Sequence, residues 1–372
     1  MKRIKCILFA MLIGFSFAGN SLAQDLLSCD EAVKTALQNN LSLERTKDDS
    51  DKIDETLTQG VGTVPQIPDN APGHMKISDG ELVKMSNTLS TAYEDLIRNQ
   101  NLTRTSIEVQ KDAITLGVKN AFVTIEQAEK NAELLQEKIN NMRDTLNIDI
   151  IRYKVGLMSK IDFDKKNLDY EKLLSDQKEN KLKIDMAYKD LENILGTKND
   201  KKISYLSMNY TPLSELGISL DAQIGRASSE APMIIAQNNA IQSLEDKIKY
   251  NLLGEDGEAL PTKESEIDVK IKNTDVRLGK QDIKTAVINT QNTINNMELQ
   301  IKNLQDQKTN LQQSISQMQT AVKVGVKTKL ELDNLKPALK EIDLGLENLK
   351  QLHQILLERY QKPYLLSLGG VQ

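Results

Sequence analysis

Residues 114–162, ITLGVKNAFVTIEQAEKNAELLQEKINNMRDTLNIDIIRYKVGLMSKID, decide the fold, because residues 283–331, IKTAVINTQNTINNMELQIKNLQDQKTNLQQSISQMQTAVKVGVKTKLE, repeat their pattern without a gap at an offset of 169. Ile114, Val118, Ala121, Ile125, Ala128, Ala132, Leu135, Ile139, Met142, Leu146 and Tyr153 fall on Ile283, Val287, Thr290, Ile294, Met297, Ile301, Leu304, Lys308, Leu311, Ile315 and Val322. Both rows step by four and three, skipping only Asp149 opposite Met318, and so sustain about five heptads each, enough for a coiled coil. Each row ends in one turn, Tyr153-Lys-Val-Gly-Leu-Met-Ser-Lys-Ile161 and Val322-Lys-Val-Gly-Val-Lys-Thr-Lys-Leu330, after which a heptad pattern resumes. The chain reads as all-α, a duplicated pair of long antiparallel coiled-coil hairpins. The 40 residues from Ile114 to Tyr153 span roughly 60 Å at about 1.5 Å each, too long for a compact monomer.

The ends and the composition agree with a rod. Lys2, Arg3 and Lys5 precede an apolar run from Cys6 to Phe17, and Ser21-Leu22-Ala23 supplies small residues before Gln24, so residues 1–23 read as a secretory signal and the protein as exported. The run is shorter than the roughly 20 residues of a spanning helix. A lipoprotein site at Leu26-Leu27-Ser28-Cys29 is disfavoured because Asp25 interrupts the apolar approach. Removing three cations takes the formal charge from −5 to −8 with no basic stripe, which argues against a nucleic-acid partner. One cysteine, Cys29, remains, so no disulfide forms within the chain. There is no Trp, and Phe122 and Phe163 are the Phe left, too few to fill a globular core of this size but ample for Leu/Ile/Ala helix seams.

The organisation follows. Residues 24–58 hold short helices, with Asp30, Val33, Ala36, Leu41 and Leu43 echoed by Asp221, Ile224, Ala227, Pro232 and Ile234 at an offset of 191. Residues 59–80 contain Gly60, Gly62, Pro65, Pro68, Pro72, Gly73 and Gly80 and form a loop. Residues 81–196 are the first hairpin, closed by Gly196 as a C-cap, and 197–217 are a linker with Tyr205 and Tyr210. Residues 218–252 are the short helices of the second repeat, 253–264 a second loop, and 265–362 the second hairpin. Its return arm carries a heptad row through Leu332, Leu335, Leu339, Ile342, Leu346, Leu349, His353, Leu356 and Tyr360, and 363–372 are a tail behind Pro363.

No triad, carboxylate pair, phosphate-cradling glycine loop or zinc spacing is present, so neither catalysis nor a cofactor is expected. His353 reads as a polar core residue that tunes register, and His74 has no partner nearby in sequence. The repeated turn is the candidate site. Gly156 and Gly325 supply the turn conformation, while Val155, Leu157, Val324 and Val326 place apolar side chains at an exposed extremity, which points to a covering partner. Ser159 and Thr328 complete the two tips.

These turns, the opening helix Asp30 to Asn40 and the hairpin end Ile194-Leu195-Gly196 resemble the TolC-like outer-membrane efflux family over most of the mature chain. The resemblance implies a homotrimer whose twelve helices form a tunnel, tips that dock a membrane-fusion adaptor working with an inner-membrane transporter, and a place in the cell envelope. It also implies a charged tunnel entrance at Asp162 and Glu331, six residues after each glycine, with Lys327 as basic partner. Val322 replaces the family's aromatic residue before the second turn, and Asn334 stands where a second acid is expected. Neither loop, 59–80 or 253–264, alternates or carries Tyr, Phe or Trp, so little or no β-barrel is expected. The competing reading is an exported coiled-coil scaffold of the envelope with no lumen, for which a closed four-helix bundle would serve as well.

Overall fold

A computed structural model describes residues 26–60, 79–250 and 262–368. The signal reading at 1–23 and most of both loops therefore lie outside the described residues. Two helices, α1 (Cys29–Asn39) and α2 (Leu41–Gln59), lead to the long α3 (Asp79–Lys154), which turns into α4 (Lys160–Leu195). The second repeat runs α5 (Leu220–Glu230), α6 (Pro232–Tyr250), α7 (Thr262–Lys323), α8 (Lys329–Asp333) and α9 (Lys336–Gln361). Short 3-10 turns occupy Leu213–Leu216 and Pro363–Leu368. Among the described residues the one β feature is a single parallel bridge between Leu27 and Ile203, and no helix is long and apolar enough to cross a membrane.

The duplication extends to details of capping. Ser28 accepts from Glu31 N and Ser219 from Ala222 N, both at 3.2 Å, so α1 and α5 start with the same cap at the 191-residue offset. Each short helix then seals one hairpin. Ala32 and Ala36 of α1, fully buried, let its backbone sit close to Val118, Phe122 and Ile125 of α3 and Leu191 and Leu195 of α4. Ala227 of α5 with Ala231 and Ile234 packs likewise on Ile283, Val287 and Ile294 of α7 and on Leu357 and Tyr360 of α9. Burying a side chain such as Phe122 or Ile294 contributes about 1.5–3 kcal/mol. Leu27 belongs to this fold, donating to Lys202 O and accepting from Ser204 N, pairings that a chain beginning at Cys29 would lack.

The four hairpin helices lie side by side as an open row, α4 along α3, α3 along α9 and α9 along α7. That settles the choice between row and closed bundle in favour of the row. The seams differ in chemistry. Within the first hairpin the contact is apolar, reinforced by Asn131 and the buried Asn180. Between the hairpins it is an ionic ladder: Lys119 to Glu358, Lys130 to Glu347 and Lys138 to Glu341 at 2.6–2.8 Å, with Lys340 to Glu137 and Gln127 to Asn348 between them.

The return arm of the second hairpin departs from the continuous heptad row expected of it. It is split, α8 ending at Asp333 and α9 beginning at Lys336. Pro337 causes the break: its ring displaces the carbonyl four residues earlier, which is that of Asp333, and it has no N–H to donate. The matching arm of the first repeat has no proline and runs unbroken. Lys308, an odd member of the apolar row, leaves the seam to pair with Asp343 at 2.7 Å. Asp149, the skipped member, is buried, with Arg152 at 3.4 Å.

Candidate functional site

Both tips are the same backbone object. Gly156 N donates to Tyr153 O and Leu157 N to Arg152 O, while Gly325 N donates to Val322 O and Val326 N to Ala321 O, at 2.8–3.1 Å. Both glycines stand at φ 76°. This is the paired bond pattern of a Schellman helix end, in which the left-handed residue is glycine for lack of a Cβ. In that motif an apolar residue after the glycine ordinarily folds back on the helix. Here it does not: Leu157 is 79% exposed and Val326 73%, with Val155 and Val324 exposed beside them. Tyr153 and Phe163 stack across the first tip at 5.2 Å and stiffen it.

The polar residues of the tips act first as caps. Ser159 caps α4, accepting from Asp162 N and donating to the Asp162 carboxylate. Thr328 and Glu331 form a reciprocal capping box at α8. Glu331 also meets Lys327 at 2.7 Å, and these hydrogen bonds, Lys327 first and then Thr328, hold its carboxyl down at about 2. Of the three expected entrance residues the structure brings Lys327 and Glu331 together, whereas the described bonds of Asp162 go to Ser159.

A second arrangement, which the sequence reading did not pick out, fixes the linker between the repeats. Glu129 accepts from the hydroxyls of Tyr188 and Tyr205 at 3.0 and 3.1 Å. The nearby Glu126, almost fully buried, accepts from Leu206 N and pairs with Lys130. Burial pushes the Tyr188 phenol up to about 12, aided by the Glu129 carboxylate, and raises Tyr205 further. In the second repeat Glu298 accepts from Leu213 N at 2.6 Å and lies 3.0 Å from Nε2 of the fully buried His353, on which Tyr210 packs. Gln354 donates to Thr211 O. Glu129 and Glu298 are 169 residues apart, so the repeat offset itself was the signal that would have found them. The linker is thus held to each hairpin by one of two equivalent glutamates, with Glu126 and Gln354 adding a second attachment to each. Among the described residues no group of three or more His, Cys, Asp or Glu is placed to hold a metal. Burial raises the Cys29 thiol above its ordinary value.

Neither a family model nor a curated protein matches the sequence. Solved structures do match the fold. The CusC channel is 13% identical at a TM-score of 0.63, over 90% of this chain and 91% of its own. The Campylobacter jejuni CmeC outer membrane channel is 14% identical at 0.62, over 91% and 86%. The Vibrio cholerae outer membrane protein VceC is 11% identical at 0.61, over 91% and 96%. The chain has the fold of TolC-like outer-membrane channels, carried by its helical module.

Proposed function

We propose that this fold serves as it does in a TolC-like channel, as the passive conduit of a trans-envelope export assembly, with no catalysis of its own. Three copies would stand side by side around a lumen, and their tips would dock a membrane-fusion adaptor that couples them to an inner-membrane transporter. The observation that carries this reading is the pair of edges of the helical row. On the outer edge, Ile267, Ile271, Thr274, Leu278, Thr285, Asn289, Asn292, Asn296, Leu299, Asn303, Gln307, Asn310, Ser314 and Gln317 follow one another by three, four or seven residues along α7, all exposed and none charged. In a chain with 27% charged residues, an uncharged heptad stripe of this length is a coiled-coil seam without its partner.

The opposite edge, α4, exposes Ile161, Leu168, Leu182 and Met186 at 62–80%. Helices α3 and α7 run toward the tips and α4 and α9 away, so a junction of α7 with the next copy's α4 continues the alternation. Leu182 lies roughly 33 Å and Leu299 roughly 36 Å from their tips at 1.5 Å per residue, so the two stripes meet in register. Such a contact is head-to-tail, and three copies of it would close as a ring. Twelve helices about 10 Å apart enclose an opening of roughly 28 Å. At the tips, Leu157 and Val326 supply the apolar contacts and Ser159 and Thr328 the polar rim for an adaptor, with Asp162, Lys327 and Glu331 at the tunnel entrance.

Light scattering on the chain from Gln24 onward tests the ring: a trimer is expected, and Asn292→Lys with Asn303→Lys should dissociate it. A wild-type monomer would sink the conduit reading and favour the scaffold. Docking is tested separately by Leu157→Asp with Val326→Asp, which should abolish export while leaving the trimer intact; unchanged export would remove the tips from the interface.

A further inference from the structure

A cavity of about 350 Å³ opens where α3, α7, α9 and the C-terminal 3-10 turn converge, well away from the tips. Its walls are apolar, among them Met297, Leu352 and Leu356, and two polar residues line it, the exposed Asn120 and the half-buried Arg359. That size and that ratio of apolar wall to placed polar groups are those of small-molecule sites.

Two features separate it from a packing gap. The first is charge. The cations around Arg359 are matched, Lys119 by Glu358 at 2.6 Å and Lys362 by Asp112. Arg359 has no carboxylate partner among the described residues, and the one described hydrogen bond of its side chain is a long one of 3.4 Å to Leu365 O. A half-buried guanidinium beside apolar walls favours an anion that brings its own apolar body. The second is Gly117. It lies in mid-helix with ordinary helical backbone, so no turn requires glycine, and a Cβ built on it meets nothing within 4 Å. Glycine there costs about 1 kcal/mol of helix propensity relative to alanine, and what it provides is the open volume of the cavity.

We propose that this cavity binds an amphiphilic monoanion, an alkyl carboxylate or a molecule of that chemistry, with the carboxylate on Arg359 and Asn120 and the apolar body against Gly117, Met297, Leu352 and Leu356. Gly117 lies about 180° around α3 from Glu126, at 100° per residue, so the mouth faces away from the linker. The inference goes beyond the conduit reading and does not depend on it, since binding is measured on the isolated protein with no adaptor or membrane.

The experiment is calorimetric titration of the full mature chain with dodecanoate below its micellar concentration, beside dodecylammonium as the opposite charge on the same tail. One dodecanoate per chain is expected, and dodecylammonium should bind at least tenfold more weakly. Arg359→Gln should weaken dodecanoate about ten- to a hundredfold, the range for one charge-assisted contact. Gly117→Leu should abolish binding while keeping or raising the melting temperature, because the side chain enters open space and leucine is the better helix former. Should that variant fail to fold, Arg359→Gln and the two head groups still decide. Absence of dodecanoate binding, equal binding of the ammonium, or indifference to Arg359→Gln would overturn the proposal. So would dissociation of the oligomer by dodecanoate, which would mean that a second copy covers the cavity.

Discussion

Glu298→Ala should release the linker from the second hairpin. The Glu298 carboxylate is the acceptor for Leu213 N at 2.6 Å and faces Nε2 of His353 at 3.0 Å, and His353 has no exposure to solvent. Leaving a buried donor without an acceptor costs about 1–3 kcal/mol. Of the two groups only Leu213 N lies in the linker, while His353 is left unpaired on α9 whether the segment is open or closed, so the opening equilibrium shifts by about 1–3 kcal/mol. The apolar contacts of α7 with α9 outlast the loss of the one bond to His353, so the hairpin should stay folded while the segment around Tyr210 to Leu213 opens more often. Hydrogen exchange read on peptides from 199 to 217 should accelerate about five- to a hundredfold, at 1.4 kcal/mol per tenfold. Peptides from the α3 and α4 core should not change. Glu298→Gln keeps one acceptor oxygen and should give a much smaller acceleration. If the alanine variant exchanges within threefold of the wild type in this segment, the glutamate does not hold the linker and the reasoning fails.

Other outcomes follow from single groups. The Tyr360 hydroxyl is buried with no hydrogen-bond partner among the described residues, so Tyr360→Phe should stabilise the protein by about 1 kcal/mol, read by urea unfolding at fixed protein concentration; a loss of stability would reveal a partner. Glu331 is depressed from 4.5 to about 2, so its support of the second tip is complete above the ordinary carboxylate range and fades as pH falls from about 4.5 to 2. The cap of α8 should therefore persist at pH 3.5 in an NMR titration of that carboxyl, and titration near 4.5 would contradict the geometry. Tyr188 is raised from 10 to about 12, so its contribution is complete below pH 10 and lost as pH rises toward 12. Ultraviolet titration should show its phenol ionising late, and Glu129→Gln should bring it earlier.

The rods, the tips and their duplication were legible because each is written locally: a heptad seam states its period in every seven residues, and a Schellman end states its glycine. The split after Asp333 was not read, although Pro337 announces it, because Leu332, Leu335 and Leu339 keep the apolar period across the break and periodicity is blind to a lost backbone bond. The tip hydroxyls show the converse. Ser159 and Thr328, expected as parts of the tips, also stand in the cap position three residues before Asp162 and Glu331, a spacing plain in the sequence. The linker clamps were hidden for a different reason: Glu129 and Glu298 look like any surface glutamate of a coiled coil until the offset pairs them. Whether the four helices formed a bundle or a row depended on which faces meet across 200 residues, and no local pattern carries that.

The ladder between α3 and α9 has a mechanical consequence. An interlocked apolar seam resists axial sliding, since knobs must leave their holes before they can advance. Lysine and glutamate on flexible stems, each pair worth about 0–1 kcal/mol, can exchange partners with little resistance, and Lys130 already reaches both Glu126 and Glu347. Axial sliding therefore meets less resistance at the ladder than within either hairpin. The ionic joint loosens as salt shortens the reach of its charges, while Arg98 with Asp246 and Lys362 with Asp112 tie the two repeats together farther from the tips.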